Sequence, residues 1–595
     1  MSRLLKSLSF YSVSSTYSSQ STILPLSAPP AAFSEKTAET PYDAASEISE
    51  KRQAVLSHYS LSADPESWGS NLNPRYPEAD DALHNPIIRD GKVVDDVEFD
   101  WTSSRGWKNV GTLVCLGFGL LSLFVLFPVI TFYQRMVTLG ENRFNVLGVN
   151  ASGQVPQMSG GFSLIDPDTP KDVYTKTSRR DKEAWQLVFS DEFNTDGRSF
   201  YPGEDPYWEA EDLHYWATGN LEWYDPSAVT TRDGALAITM SRKENHGLDF
   251  TGGLLTSWNK FCFTGGYVEA AVQLPGANNI LGLWPAVWTM GNLGRAGYGA
   301  TLEGTWPYSY DSCDVGTAPN QTMNGLPESS LTGGNQDSNG ELSYLPGQRL
   351  SRCTCAGQSH PGPMHDDGTF VGRSAPEIDI LEAQISGTPL SGQVSQSGQW
   401  APFNADYQFD NSTDNFFVED PTVTILNGFK GNAFQQSTSF VTDTNPDCYF
   451  EEAGCYSVYG FEYKPGYEDA YIEWVVEDKT SWRVNAAGLG PDTTAEISAR
   501  PIPQEPMYIL LNLGISFNFV TDIDFEHLKF PTSMLVDYVR VYQDPNAINI
   551  GCDPENFPTK AYIDEYIEAY TNYNLTTWRD DFGQPFPKSS FVDGC

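Results

Sequence analysis

The sequence predicts a large antiparallel all-β sandwich carried behind a membrane anchor. Three observations point there. From Trp185 onward, short β-branched and aromatic runs ("WQLVFSDEF", "GALAITMS", "GGYVEAAVQL", "EWVVED", "LVDYVRVYQ") alternate partly in polarity between Gly, Pro, Asn and Asp punctuation, the pattern of a sandwich strand set. Aromatic side chains make up 13% of the 595 residues, with 15 Trp and 30 Tyr, which suits a broad core and surfaces that stack on sugar rings. Residues 110–133 hold no charged side chain, and that is the length a helix needs to cross a bilayer.

Residues 1–108 are frequent in Ser, Thr, Pro and Ala and show no sustained period, so they are expected to form a disordered tail. The opening has no acidic residue before Glu35 and resembles a transit peptide, but a phosphorylatable cytosolic tail fits better with the apolar span and the cysteines downstream of it. The span, placed at 109–133, starts too late for a cleaved leader and reads as a signal anchor. Its flanks nearly tie in charge, with Arg105 and Lys108 before it and Arg135 and Arg143 after. Cysteines break the tie. None precedes the span and Cys115 lies in it, whereas Cys262, Cys313, Cys353, Cys355, Cys448, Cys455, Cys552 and Cys595 come after it. An even set on one side reads as disulfides in an oxidising compartment, with the pairing open. The sequons at Asn150, Asn320, Asn411 and Asn574 lie on the same side. The expected topology is single-pass type II, in the secretory pathway (ER or Golgi) or plasma membrane, with the ectodomain luminal or extracellular.

Beyond the anchor come a stem at 134–183 with a basic "SRRDK" patch read as solvated linker, a β-domain at 184–545, and a tail at 546–595. The tail carries Cys552, Cys595 and a short helical pattern, "KAYIDEYIEAYTNY", and a disulfide tether is expected. About 80 residues rich in Gly, Ser and Cys separate "LWPAVWTMG" from "EIDILE", too long for an ordinary connection and able to cover a cleft. A net charge of −41 argues against a nucleic-acid partner.

"EIDILE" concentrates Glu377, Asp379 and Glu382 in six residues. In a regular strand Glu377 and Asp379 share one face while Glu382 falls on the other, in the core. A buried unpaired carboxylate costs several kcal/mol. One extra residue near Ile380–Leu381, a β-bulge, would send Leu381 inward and turn Glu382 to the side of Glu377. Two carboxyls about 5–5.5 Å apart are what a retaining glycosidase uses as nucleophile and acid/base. A solvated acidic edge is the bland alternative.

Together with "LVFSDEFN", "LEWYDP", "DGALAITM", "GGYVEAAVQLP", "LWPAVW" and "LVDYVRVYQ" in this order, "EIDILEAQ" resembles the signature of glycoside hydrolase family 16, over residues 185–543. The resemblance implies a concanavalin-like β-jelly roll, with Glu377 as nucleophile, Asp379 as assisting carboxylate and Glu382 as acid/base. The long tail, anchor and "GNLGRAGYGATLEGTWPYSYDSCDVGT" resemble the fungal β-glucan synthesis-associated membrane proteins, which are implicated in β-1,6-glucan of the cell wall. Laminarinases of the group usually carry a His on the strand after the carboxylates. Here "ISGTPLSGQVSQSGQW" has none, so Gln393 or Gln396 is expected to line the cleft instead. Trp223, Tyr224, Trp284, Trp288 and Trp400 are the candidate sugar platform, Trp284 and Trp400 being expected in the cleft and about half of the rest in the core.

No cofactor is expected. "CTCAGQSHPGPMH" (Cys353, Cys355, His360, His365) matches no common zinc spacing. "NQDSNGE" lacks the calcium-loop pattern, and although some relatives carry a structural calcium, no residue set points to one. The reading is a membrane-anchored glucosidase or transglucosylase acting on β-glucan or a glucosylated precursor. Its rivals are a non-catalytic glucan-binding assembly factor and a secretory glycoprotein quality-control factor.

Overall fold

The structure is a computed structural model that describes residues 87–90, 92–94, 104–122, 124, 163–452 and 454–595. The chain divides into two units, one over 13–133 and one comprising 1–12 with 134–595. In the first, Ile87–Arg89 pairs antiparallel with Lys92–Val94, and helix α1 spans Ser104–Leu121. Its side chains Leu113, Val114, Leu116, Phe118, Leu120 and Leu121 are exposed. Among the described residues no helix is long and apolar enough to cross a membrane. Residues 123 and 125–133 of the expected span lie outside the described residues, as do most of the cytosolic tail, the stem up to residue 162 and Asn150.

The second unit is a two-sheet sandwich of jelly-roll type, antiparallel except where Phe250–Thr256 pairs parallel with Glu222–Tyr224. One sheet is built from β1 (Leu213–His214), β2 (Glu222–Tyr224), β3 (Phe250–Thr256), β4 (Trp284–Gly291), β5 (Glu377–Ser386), β6 (Ser391–Trp400), β7 (Thr424–Leu426), β8 (Gln435–Asp443) and β9 (Met507–Gly514). Its order is β7-β8-β6-β5-β4-β9-β3-β2-β1. The other runs from Phe416–Val418 through Lys479–Asn485, Tyr471–Val476, Ser457–Lys464, Gly266–Gln273, Thr532–Gln543 and Ala184–Asp191 to Thr175–Thr177. Between them lies an apolar core that takes alternate residues of each strand, including Ile378, Val287, Ile509, Leu511 and Leu513 from the first sheet.

The stem differs from the sequence reading in two ways. Thr175–Thr177 pairs with Ala184–Asp191, so the end of the expected stem is already sheet. The "SRRDK" patch is docked at Ser178 and Arg179 and exposed from Arg180 to Lys182. The Ser178 hydroxyl and the Arg179 amide donate to the Glu462 carboxylate at 3.1 and 2.6 Å, and the Arg180 guanidinium lies 4.9 Å from the Tyr471 ring centroid.

The long insertion is ordered and so is the C-terminal tail, whose helical pattern forms Lys560–Glu565 and Ile567–Thr571. All eight downstream cysteines pair, as Cys262–Cys552, Cys313–Cys353, Cys355–Cys595 and Cys448–Cys455. Cys353 and Cys355 therefore hold disulfides, not a metal. Two bridges tie the tail to the domain, because its apolar residues pack on the outer face of the first sheet. There Leu213, Tyr224, Leu254, Ala286, Trp288, Met290, Tyr508 and Leu510 join Leu293 and Ala300 of the insertion and Ile563, Tyr570 and Trp578 of the tail in a second core.

Candidate active site

The carboxylates sit on β5, and the strand is irregular where parity demands it. Asp379 faces Ser397 and Glu382 faces Ser395, so Ile380 and Leu381 together span the single residue Gln396. On the other side Leu381 pairs with Val287 and Asp379 with Trp288. The bulge sends Ile378, Ile380 and Leu381 into the inter-sheet core and leaves Glu377, Asp379 and Glu382 on the outer face. A bulge frees backbone groups that need partners. The Trp474 indole donates to the Asp379 carbonyl at 2.8 Å and the Gln396 amide donates to the Ile380 carbonyl at 3.0 Å. Gln396 is locked in turn by the Ser481 hydroxyl, and its own carbonyl accepts from the Trp482 indole at 3.1 Å. Trp474 and Trp482 stack with centroids 4.1 Å apart.

Each carboxyl has its own donors. Asp379 is buried and accepts from the Ser397 hydroxyl at 2.7 Å and the Gln399 amide at 2.9 Å. Glu377 accepts from the indole of Trp306, a residue of the insertion. Glu382 accepts from the Trp284 indole at 3.2 Å, and Trp284 lies flat on Phe519 with centroids 4.3 Å apart. Burial raises all three carboxyls. For Glu377, repulsion from Asp379 and Glu382 adds to burial while the Trp306 bond opposes it. For Asp379, burial outweighs the Gln399 and Ser397 bonds that favour its charge. Glu377 and Asp379 act on each other directly: the Asp379 charge raises Glu377, while Glu377 favours the charged form of Asp379. Burial, with repulsion from Asp379, pushes Glu382 up to about 8. Three carboxyls that cannot all ionise together leave one able to give a proton at neutral pH while another carries charge, the division of labour glycosyl transfer requires.

The structure places the other sequence-selected residues unevenly. Trp284 is half-buried at the site. Trp400 is not in the cleft: it is fully buried in the inter-sheet core, its indole donating to the Thr438 hydroxyl at 2.9 Å. Gln396 faces the same core as the partner of the bulge. Gln393 points outward but is engaged by Ser386 and Asp443. Trp288 is buried against Asn512, with a 2.8 Å bond, and the Tyr224 hydroxyl accepts from Asn512 at 3.2 Å and Asn220 at 3.1 Å. Trp223 is covered by His246, stacked at 3.8 Å, and by the edge of Tyr573 from the tail. Asn320, Asn411 and Asn574 are exposed.

The residues that sequence reasoning missed are Trp306, Tyr215, Ser397, Gln399 and Phe519. Burial and the charges of Glu377 and Asp379 raise the Tyr215 phenol, so it lies in the neighbourhood of the carboxylates. Ser397 and Gln399 had a signal in the sequence, since odd positions on β6 share the face opposite Trp400 and Gln396.

Fold and site together define a β-sandwich protein whose outer sheet face carries a bulge-aligned cluster of three carboxylates. The sequence profile of the β-glucan synthesis-associated protein SKN1/KRE6/Sbg1 family matches residues 71–595, and the chain belongs to that family. It is 42% identical over 527 residues to the β-glucan synthesis-associated protein KRE6 of Saccharomyces cerevisiae, covering 87% of this chain and 69% of that one. It is also 42% identical over 532 residues to SKN1 of Candida albicans, covering 87% and 67%. A shorter stretch is 32% identical over 167 residues to the endo-1,3-1,4-β-glycanase EglC of Rhizobium meliloti, covering 24% of this chain and 32% of that one. Among solved structures, the endo-β-1,3-glucanase of Pyrococcus furiosus aligns at 17% identity and a TM-score of 0.36, covering 63% of this chain and 98% of that one.

Proposed function

We propose that this chain breaks and re-forms glycosidic bonds in β-glucan by a retaining double displacement. Glu377 attacks the anomeric carbon while Glu382 protonates the leaving oxygen. Asp379, fixed by Ser397 and Gln399, orients the attacking oxygen of Glu377. Glu382 then activates water, or a sugar hydroxyl when the reaction is transfer. The observation that carries this reading is the bulge at Ile380–Leu381, which a merely structural strand would not need. It places three carboxyls on one face, Asp379 buried and Glu377 and Glu382 half-buried, and has core side chains devoted to its carbonyls. Membership of a β-glucan synthesis-associated family supports the substrate class. Four disulfides support folding in an oxidising compartment, and the exposed apolar face of α1 supports a bilayer anchor continuing beyond it.

The test is to incubate the purified chain with defined β-1,3- and β-1,6-gluco-oligosaccharides and size the products. Longer products indicate transfer and shorter ones hydrolysis. Glu382→Gln should slow turnover by on the order of 10²–10⁴, and Glu377→Gln should stop it. Turnover unchanged in both variants would refute the mechanism. A second reading, glucan binding without turnover, is favoured by the Trp306 indole seated on Glu377. It predicts unchanged oligosaccharides that nonetheless bind, in the variants as in the wild type.

A further inference from the structure

Away from the carboxylates, the two sheets end side by side. Strand β7 is outermost in the carboxylate sheet, and Phe416–Val418 is outermost in the other. Leu426 of β7 pairs with Phe440 of β8, and the Phe440 ring centroid lies 6.0 Å from that of Phe416, so both edges flank the same end of the sandwich. Phe417, Val423, Ile425, Leu426 and Phe429 are exposed there. Clustered apolar surface of this kind calls for a cover, and unpaired strand edges invite a second chain. The sequon Asn411-Ser412-Thr413 lies beside it. Asn411 is exposed and lines one shallow depression together with Leu426, Asn427 and Phe429. Both walls of the depression are fixed. On one, the Asp410 amide donates to the Gly488 carbonyl at 2.9 Å and the Asp410 carboxylate accepts from the Ser412 amide at 3.0 Å. On the other, the Asn427 side chain donates to the Ser439 hydroxyl and accepts from the Phe429 amide, each at 3.0 Å.

We infer that Asn411 carries an N-linked glycan whose first N-acetylglucosamine lies against Phe429 and Leu426, so that the glycan covers the two sheet edges. This rests on the proposed folding in an oxidising compartment, where such glycans are attached. In the attachment, Asn411 Nδ2 loses a proton and bonds C1 of the sugar, while the C1–O bond to a polyprenyl diphosphate donor breaks and the diphosphate leaves. A pyranose presents a C–H face that suits an aromatic ring. Tethered at the rim, it populates even a weak contact, because the encounter is intramolecular. Charge favours this occupant over others. Asp410, Asp414, Glu419 and Asp420 are exposed around the same edges, which repels a second acidic chain or an anionic bilayer and leaves a neutral sugar unaffected.

The experiment uses the full-length chain from a eukaryotic host, with the glycan at each sequon mapped by mass spectrometry and stability read from thermal melts. Asn411 should be occupied. Trimming the native protein to one N-acetylglucosamine per site should leave Tm unchanged, because the first sugar makes the contact. Thr413→Ala, which abolishes the sequon and keeps Asn411, should lower Tm by about 1–2 °C and raise the binding of a hydrophobic dye. Thr413→Ser keeps the sequon and should restore both. In a Phe429→Ala background the loss of the glycan should no longer lower Tm, since the two changes remove one contact. Asn411 bare while other sequons carry glycan overturns the inference, and so do additive Tm shifts for Thr413→Ala and Phe429→Ala. A glycosylated wild type that dimerises, and loses the dimer on Ile425→Lys, gives the edge to a second copy and overturns it as well. Glycan at no sequon overturns the compartment reading together with the inference.

Discussion

Burial and the charge of Asp379 raise Glu382 from an ordinary 4.5 to about 8, with the Trp284 indole opposing the rise. That one shifted proton governs both rate and stability. If Glu382 is the acid, turnover should fall as pH climbs through about 8, giving the basic limb of the rate profile. Stability should track the same proton. A carboxyl raised on folding contributes stability that is fully present below its unfolded value, near 4.5, and lost as pH rises through its folded value, about 8. Glu377 and Asp379 are shifted in the same direction, so the native fold should weaken across this window. Glu382→Gln removes one contributor, and its Tm should decline less than that of wild type between pH 5 and 8. Thermal melts at fixed ionic strength measure this. Parallel declines would mean that Glu382 is not held where burial can act on it.

At the scale of the element, β5 depends on a residue from its neighbour. The Gln396 amide is the partner of the Ile380 carbonyl, and it also reaches the Val475 carbonyl at 3.3 Å. Gln396→Leu keeps the volume and leaves buried carbonyls unpaired, which should cost about 1–3 kcal/mol. It should also lower turnover, because Glu382 lies just beyond the bulge. Urea unfolding reads the first effect, and an unchanged midpoint would show that the bulge does not need this partner. The bulge itself is legible in the sequence, since strand parity is strict and "EIDILE" violates it. The faces of the neighbouring strands are less so. Residue type alone offers Gln393 and Gln396 equally to the cleft, although an odd spacing puts them on opposite faces. The ring of Trp400 suggests the cleft, whereas its even spacing from Gln396 puts it in the core. Trp306 and Tyr215 leave no local trace: they reach the carboxylates from 71 and 162 positions upstream of Glu377, through packing that no periodicity encodes.

At the scale of the whole molecule, the second core converts a two-layer sandwich into a three-layer one over half of the sheet. Strands β9 and β3 are therefore buried at every position, where a sandwich with one open face would alternate. The tail supplies much of that third layer. The Arg349 guanidinium lies 3.7 Å from the centroid of the Trp578 ring, and Trp258 stacks on Tyr570 at 5.6 Å. Cys262 and Cys552 are 290 positions apart, and closing so long a loop is worth roughly 5 kcal/mol by chain entropy. The double change Cys262→Ser, Cys552→Ser should therefore loosen the third layer before the inter-sheet core, which retains its own apolar contacts. Limited proteolysis should then cut within residues 553–595, while the near-ultraviolet signal of the Trp474–Trp482 pair persists. A tail that stays resistant to protease in the double variant would mean that apolar packing holds the third layer without the bridge. Loss of the Trp474–Trp482 signal together with the tail would mean that the two cores unfold as one.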